Sequence, residues 1–238
     1  MLDKKQIIGL SVKMQTTELN IAREYLQHRF LSFFYKKEKS SEIYFKGGTA
    51  LRIVFDSPRF SEDLDFTAGK IKISEIEDLI VDTLGSLSKE GLVGDIRESK
   101  KTSGGFLAII DFQIHNYNLA LRIEISAREK GQSIKGEFAQ INSALSPAYI
   151  LWHLATEQLI HEKIQATLTR AKPRDFYDIY FLLRSRLINP SEKSLLKKIP
   201  KILGEIDINF SSELKEFLPL SLYPVIKNFK EALLRELK

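Results

Sequence analysis

Residues 45–66 read FKGGTALRIVFDSPRFSEDLDF, and this stretch decides the fold. It continues a short β-prone run that begins at Ile43, and the glycine pair Gly47-Gly48 lets the backbone turn tightly into a helix. Helix-forming residues run from Thr49 to Phe55, and residues 56–58 have turn chemistry. Asp63 to Thr67 then alternates charged and apolar residues, as a half-buried strand does. The predicted order is strand, glycine turn, helix, strand.

The same stretch carries the candidate site. Two glycines between a strand and a helix bring backbone N–H groups close to a phosphate, and Thr49 adds a hydroxyl donor. Asp63 and Asp65 are two apart, so on a strand their carboxylates project from one face. Such oxygens suit Mg²⁺, which takes one or two carboxylates and fills its remaining positions with water and substrate phosphates. Each motif alone is common in turns and on surfaces, but the two together predict a joint site.

Working outward, apolar spacing predicts a helix from Thr16 to the charged residues 36–41, and a second helix from residue 74 to Lys89. Period-two runs predict three strands in an antiparallel meander over residues 95–101, 106–115 and 119–127. Residues 131–143 are interpreted as a polar connector. Ser146-Pro147 predicts the start of a long helix that ends near Arg170, and prolines divide the rest into helices. The fold class is α+β, with domains 1–145 and 146–238 and a soft boundary between residues 128 and 146.

The amino-acid composition excludes several classes of functional site. The chain has 238 residues and a net charge of +5, from 36 Lys and Arg against 31 Asp and Glu, which favours polyanionic partners weakly. It has no Cys, which excludes disulfides, thiolate zinc sites and cysteine nucleophiles, and its four His offer little for a metal site. It shows no secretory signal and no apolar run of about 18 residues, so we expect a cytoplasmic protein.

Further charged residues are candidates for the site. Alternation places Arg122 and Glu124 on the polar face of their strand. Glu124 is the candidate for a third carboxylate, or a surface acid paired with a neighbouring cation, and Asp111 is the competing acid. Lys163 lies among apolar helical neighbours, where an ammonium needs an anionic partner or snorkels to the edge. Asp175 points toward the buried side at a helix start, although an acid there also complements the helix dipole.

These residues carry a family resemblance. FKGGTAL with RFSEDLDF, then Glu162-Lys163-Ile164, then Arg174-Asp175-Phe176-Tyr177-Asp178, resembles the four ordered motifs of the AbiEii/AbiGii toxin family. That family is a branch of the polymerase-β-like nucleotidyltransferase superfamily, and the resemblance covers roughly residues 43–183. It implies a mixed-sheet nucleotidyltransferase core in domain 1–145, followed by a helical domain 146–238 that completes the active site.

The resemblance also implies roles. Gly47, Gly48 and Thr49 would hold the nucleotide triphosphate, and Asp63 and Asp65 would hold Mg²⁺. Lys163 would contact phosphates, and Asp175, weighted above Asp178, would complete the site by orienting Lys163 or the attacking hydroxyl. Arg59 and Ser61 would shape the metal site. A third carboxylate from a neighbouring strand would join Asp63 and Asp65, with Glu124 as the best-placed acid and Asp111 as the alternative.

The implied activity is transfer of NMP from an NTP to an acceptor hydroxyl, by the toxin of a toxin–antitoxin or phage abortive-infection system. The acceptor would be RNA, the tRNA 3′ end in particular, and an antitoxin would be the protein partner. A cation-rich helical half gives modest support to RNA binding, although a solvated helix face is the more ordinary explanation of any one lysine. The alternatives are a small-molecule or protein acceptor, and a non-catalytic binding module. The residues that form the cationic set are Arg170, Lys172, Arg174, Arg184, Arg186, Lys193, Lys197, Lys198 and Lys201.

Overall fold

A computed structural model describes residues 1–69, 71–127 and 133–238 and divides the chain into two units. The first unit contains Met1–Asp56 and Phe60–Leu154, and the second contains Ser57–Arg59 and Ala155–Lys238. The predicted boundary of 145/146 therefore falls inside the first unit, and residues 128–132 of its soft region lie outside the described residues.

The first unit is built on a seven-stranded mixed sheet with strand order β3-β4-β5-β2-β1-β7-β6. The pairs β1/β7 and β2/β5 are parallel and the other pairs are antiparallel, which confirms the predicted mixed sheet. The strands are β1 (Ile43–Lys46), β2 (Leu64–Ala68), β3 (Gly94–Thr102), β4 (Gly105–Ile114), β5 (Tyr117–Ala127), β6 (Gly136–Ser143) and β7 (Ser146–Leu154). β3, β4 and β5 form the predicted meander.

The described residues of this unit form four α-helices: α1 (Lys4–Met14), α2 (Glu18–Phe34), α3 (Gly47–Phe55) and α4 (Ile73–Ser88). α2 packs on β5 and β7 and also contacts α1 and α4. Tyr25, Phe30 and Phe34 of α2 are buried in the core, where the ring centroid of Phe34 lies 5.6 Å from that of Phe66. Phe66 in turn lies 5.4 Å from Phe45 of β1. Burial of these rings holds β1 and β2 against α2, because each aromatic side chain removes a large apolar area from water.

The prediction for residues 131–154 is wrong where the structure describes them. Residues 136–143 form β6 instead of a connector, and residues 146–154 form β7 instead of a helix. Ser146-Pro147 resembles a helix start, but a proline is also tolerated at the beginning of a strand. Beyond it the burial has period two: Tyr149 and Leu151 are buried, whereas Ile150 between them is 58% exposed. Aromatic and β-branched residues with this alternation favour a strand.

The second unit is helical, as predicted for the C-terminal half. Its helices are α5 (Thr156–Thr169), α6 (Pro173–Arg184), α7 (Lys193–Leu196), α8 (Ile199–Glu205), α9 (Phe210–Leu214), α10 (Tyr223–Lys227) and α11 (Phe229–Glu236). α6 packs on α5, α9 and α11. An aromatic cluster fills this unit: Phe229 lies 5.9 Å from Tyr177 and 4.9 Å from Phe210, measured between ring centroids. In the part of the chain that the structure describes, each helix is too short or too polar to cross a membrane.

Candidate active site

The glycine turn and the acidic strand meet at a single point in the first unit. Gly47 begins α3 with a φ of 81°, a left-handed conformation that favours glycine. A Cβ atom added to Gly47 would lie 2.1 Å from Oδ2 of Asp65, so the Asp65 carboxylate already lies against the Gly47 Cα. Glycine is therefore needed here for two reasons, the backbone conformation and the close approach of the carboxylate.

Three polar residues form a row across the sheet at this point. Lys46 of β1 is the register partner of Asp65 of β2, and Asp65 is the register partner of Glu124 of β5. Register partners on adjacent strands lie about 5 Å apart and project from the same face of the sheet. We call this face, which carries Lys46, Asp65 and Glu124, the acidic face. It borders an open groove of about 450 Å³ that extends to the β3–β4 turn near Gly104.

The loop before β2 is held by two buried polar side chains. The Thr49 hydroxyl of α3 donates a hydrogen bond to the main-chain carbonyl of Asp63. Gln27 of α2, which is 1% exposed, donates from Nε2 to the carbonyls of Ser61 (3.0 Å) and Glu62 (2.9 Å). These bonds fix the backbone immediately before the acidic strand. Asp63 directly precedes β2 instead of lying within it.

Thr49 therefore differs from the prediction. Its side chain is completely buried and its one hydroxyl proton is donated to the Asp63 carbonyl, so the hydroxyl is not directed at a phosphate. The role that the structure gives Thr49 is to position Asp63. Ser61 likewise contributes a main-chain carbonyl, which accepts the hydrogen bond from Gln27.

Glu124 is held by a neighbouring cation. Nε of Arg122 donates to Oε1 of Glu124 at 2.6 Å, and the two side chains are 41% and 46% exposed. The hydrogen bond with Glu124 raises the pKa of Arg122 above its ordinary value, and the charge of Asp63 adds to this effect. Two of the three predicted metal ligands, Glu124 and Asp63, therefore interact electrostatically with Arg122. Sequence analysis placed Arg122 on the correct face but assigned it no role.

Asp111, the competing third acid, lies elsewhere on the sheet. Its register partner in β5 is Ala120, four residues before Glu124, which corresponds to roughly 13 Å along the strand. Its carboxylate contacts Arg97 of β3 at 3.5 Å. Of the two candidates, Glu124 is the one beside Asp65.

The donor set fits a hard divalent cation with two carboxylate ligands. Mg²⁺ needs only one or two carboxylates when phosphates and waters supply the rest, and Asp63 and Asp65 flank the first residue of β2. Among the described residues, no group of three or more His, Cys, Asp or Glu side chains is arranged to hold a metal ion. Glu124 is paired with Arg122, and its role as a third ligand beside Asp63 and Asp65 stays a prediction.

The second unit has its own buried charge cluster. Asp178 of α6 accepts hydrogen bonds from Arg59, with Nε–Oδ1 at 2.9 Å and Nη2–Oδ2 at 3.1 Å. Lys163 of α5 donates to Oδ2 of the same carboxylate at 2.8 Å. All three side chains are buried. Burial would raise the pKa of Asp178, but the charges and hydrogen bonds of Arg59 and Lys163 outweigh burial and hold the pKa below its ordinary value.

The prediction that Asp175 orients Lys163 is wrong. Asp175 accepts two hydrogen bonds from Arg170, at 2.7 and 2.6 Å, and one from the main-chain N–H of Lys172 at 3.2 Å. It therefore acts in the first turn of α6, where an acid is favourable. Asp178, one turn further on, is the residue that binds Lys163. Both aspartates are 1% exposed, so their inward direction alone did not distinguish them.

A mixed sheet that sets a glycine turn against paired acids is the arrangement of a nucleotidyltransferase, and comparison with protein families agrees. A family model described as "Nucleotidyl transferase AbiEii toxin, Type IV TA system" matches residues 29–232. The chain belongs to this family: it is a nucleotidyltransferase toxin of a type IV toxin–antitoxin system, with a nucleotide substrate and an antitoxin partner. Enzymes of this family generally use an NTP and a divalent metal. A search of curated proteins finds no match.

Solved structures share the fold. JHP933 from Helicobacter pylori is 20% identical over 93% of this chain and 94% of its own, with a TM-score of 0.62. A putative nucleotidyltransferase from H. pylori is 21% identical over 93% and 97% of the two chains, with a TM-score of 0.63. MenT4, a nucleotidyltransferase toxin from Mycobacterium tuberculosis H37Rv, is 14% identical over 100% and 91%, with a TM-score of 0.64. At these identities the likeness concerns the fold alone.

Proposed function

We propose that this toxin uses Mg²⁺ to transfer NMP from an NTP to a hydroxyl of RNA, with the 3′ end of tRNA as the acceptor. The observation that carries the proposal is the position of Asp65, which lies against Gly47 and between Lys46 and Glu124 on one face of the sheet. A carboxylate at a glycine turn places metal-binding and phosphate-binding groups at one point.

The reaction forms one bond and breaks one. The acceptor hydroxyl oxygen bonds to the α-phosphorus, and the bond from that phosphorus to the bridging oxygen of the β-phosphate breaks. Pyrophosphate leaves, and the hydroxyl proton passes to the nearest carboxylate and then to water. Bound Mg²⁺ polarises the phosphoryl oxygens and offsets their negative charge.

The residues of this chain bind and orient the reactants. Asp63 and Asp65 are the proposed metal ligands, and the fixed loop before β2 keeps them in place. The backbone of Gly47 and Gly48 faces the phosphates, and Lys46 offers a compensating positive charge. The direct role of Lys163 at the phosphates stays a prediction. Its hydrogen bond to Asp178 gives the buried side chain an anionic partner.

The distribution of charge supports a polyanionic acceptor. The first unit has 20 Lys and Arg against 20 Asp and Glu, so its formal net charge is zero. The second unit has 16 Lys and Arg against 11 Asp and Glu, and it therefore carries the whole net charge of +5. Excess cations on one unit favour contact with a nucleic-acid backbone over contact with a neutral metabolite.

Labelling with α-³²P NTPs tests the acceptor. The purified toxin is incubated with Mg²⁺ and each NTP in three parallel reactions, which contain total tRNA, RNA-free cell protein or a metabolite extract. We expect label in tRNA, removed by a 3′ exonuclease, and none in protein. Label found only in protein or in small molecules contradicts the RNA acceptor. An Asp65→Asn variant gives the background label that does not depend on catalysis, and Asp111→Asn serves as the matched control because Asp111 lies away from Asp65.

A further inference from the structure

The acidic face of the sheet continues into an exposed aromatic surface. Phe138 of β6 is 68% exposed and Ile150 of β7 is 58% exposed. Trp152 is the register partner of Phe138, and the two ring centroids are 5.9 Å apart. Of the exposed large apolar residues that the structure describes, Phe138 is the one aromatic. We call Tyr44, Phe138, Ile150 and Trp152 the aromatic surface.

This surface shares a face with Asp65. The parallel pairing of Phe45 with His153 places their chain neighbours Tyr44 and Trp152 side by side. Tyr44 alternates with Phe45 and therefore projects from the same side of β1 as Lys46, the register partner of Asp65. Tyr44 is two residues from Lys46 on β1, so the aromatic surface lies about 7 Å along the strands from the row that contains Lys46 and Asp65.

Tyr44 extends the aromatic surface toward the sheet edge. A Cβ added to Gly136 of β6 would lie 2.0 Å from a ring atom of Tyr44, so the tyrosine ring reaches across to the edge strand. The ring therefore lies close to the backbone of β6 at Gly136, two residues before Phe138. Two charged residues lie next to this surface along the chain, since Glu42 and Lys46 are each two residues from Tyr44. Burial raises the pKa of Tyr44, and the charge of Glu42 adds to this effect.

We propose that the aromatic surface stacks unpaired bases of the single-stranded RNA whose terminal hydroxyl reacts at Asp65. This inference rests on the proposed function and names how the acceptor is held. Exposed aromatics on the strands of an open sheet provide a platform on which successive bases stack, with little sequence preference. Trp152 is about two strand spacings, or 10 Å, to the side of Asp65, a distance that a few extended nucleotides span.

The chain provides its own probe, because Trp152 is its single tryptophan. Intrinsic fluorescence is measured while a short unstructured single-stranded RNA is titrated into the full chain. We expect saturable quenching, and we expect Phe138→Ala to weaken RNA binding at least about fivefold, the lower end of the effect of base–aromatic stacking. Val81→Ala, at a 56% exposed position on α4, is the matched control and should bind as the wild type does. Duplex RNA should quench much less.

Transfer kinetics separate this inference from the proposed function. Phe138→Ala should raise the KM for RNA and leave the KM for the NTP unchanged. RNA-dependent quenching without transfer would contradict the RNA acceptor but leave the stacking surface intact. Transfer with unchanged fluorescence, or with an unaltered KM for RNA in Phe138→Ala, overturns the stacking surface. Sedimentation that shows a dimer abolished by Phe138→Ala would also overturn it, since a second copy of the chain would then cover the surface.

Discussion

Replacement of Asp178 by asparagine should destabilise the second unit strongly. The carboxylate is 1% exposed and accepts three hydrogen bonds, two from Arg59 and one from Lys163. Asp178→Asn removes the negative charge and leaves two buried cations without it. Loss of one partner of a buried charge pair costs about 3–5 kcal/mol. We expect the free energy of unfolding to fall by this amount, measured by urea denaturation at pH 7.

Asp175→Asn is the matched control, because Asp175 is equally buried and lies in the same helix. Its partner Arg170 is 55% exposed and becomes hydrated when released, so we expect a loss of only about 1–2 kcal/mol. Equal losses in the two variants, or a loss below about 1 kcal/mol for Asp178→Asn, would refute the idea that a buried charge cluster supports this unit.

The pH dependence of stability gives a second readout for the same variant. The pKa of Asp178 in the folded chain is below its ordinary value of 3.8, because Arg59 and Lys163 favour the charged form more than burial disfavours it. This carboxylate therefore adds stability that is fully present above about pH 5 and is lost as the pH falls through the lowered pKa. The difference between wild type and Asp178→Asn should shrink as the pH is lowered toward 3. A constant difference would contradict the lowered pKa.

Three further variants test the first unit. Gly47→Ala introduces a Cβ at a φ of 81° and 2.1 Å from a carboxylate oxygen. It should therefore lower the free energy of unfolding in urea by about 1–2 kcal/mol or more and reduce transfer. The control is Gly85→Ala, in a helix where an added Cβ meets no atom within 4 Å, and it should stabilise the chain by about 0.5–1 kcal/mol. Thr49→Val removes the hydroxyl that donates to the partly buried Asp63 carbonyl and should cost about 1–2 kcal/mol, with a lower kcat. An unchanged kcat would contradict the positioning role. Glu124→Gln should raise the Mg²⁺ concentration needed for half-maximal transfer while Asp111→Asn does not, and the reverse result would make Asp111 the third carboxylate.

Local patterns were sufficient to predict the centre of the fold. Alternation in β5 placed Glu124 and Arg122 on the polar face, and the structure puts Glu124 beside Asp65. The glycine pair predicted a tight turn into a helix, and Gly47 makes that turn. These predictions succeeded because each depends on one backbone period or one turn, both of which are local properties.

Predictions that depended on distant partners were less successful. Asp178 binds Arg59, which is 119 residues away in the chain, and helical geometry gives a direction but not a partner. Gln27 holds a loop 34 residues away through main-chain carbonyls, which leave no signal in the sequence. The assignment of β7 failed for another reason, since Ser146-Pro147 suits both a helix start and a strand start, and only pairing with β6 decides between them.

An NTP labelled at a single phosphate shows which phosphoryl group the toxin transfers. The toxin is incubated with Mg²⁺, its acceptor and an NTP that carries ³²P at either the α- or the γ-phosphate. We predict that α-label enters the acceptor, that γ-label leaves as pyrophosphate, and that Asp65→Asn lowers α-label incorporation about 100-fold or more, or about 3 kcal/mol in the activation barrier. Transfer of γ-label to the acceptor, or wild-type incorporation of α-label by a folded Asp65→Asn variant, would contradict nucleotidyl transfer at Asp65.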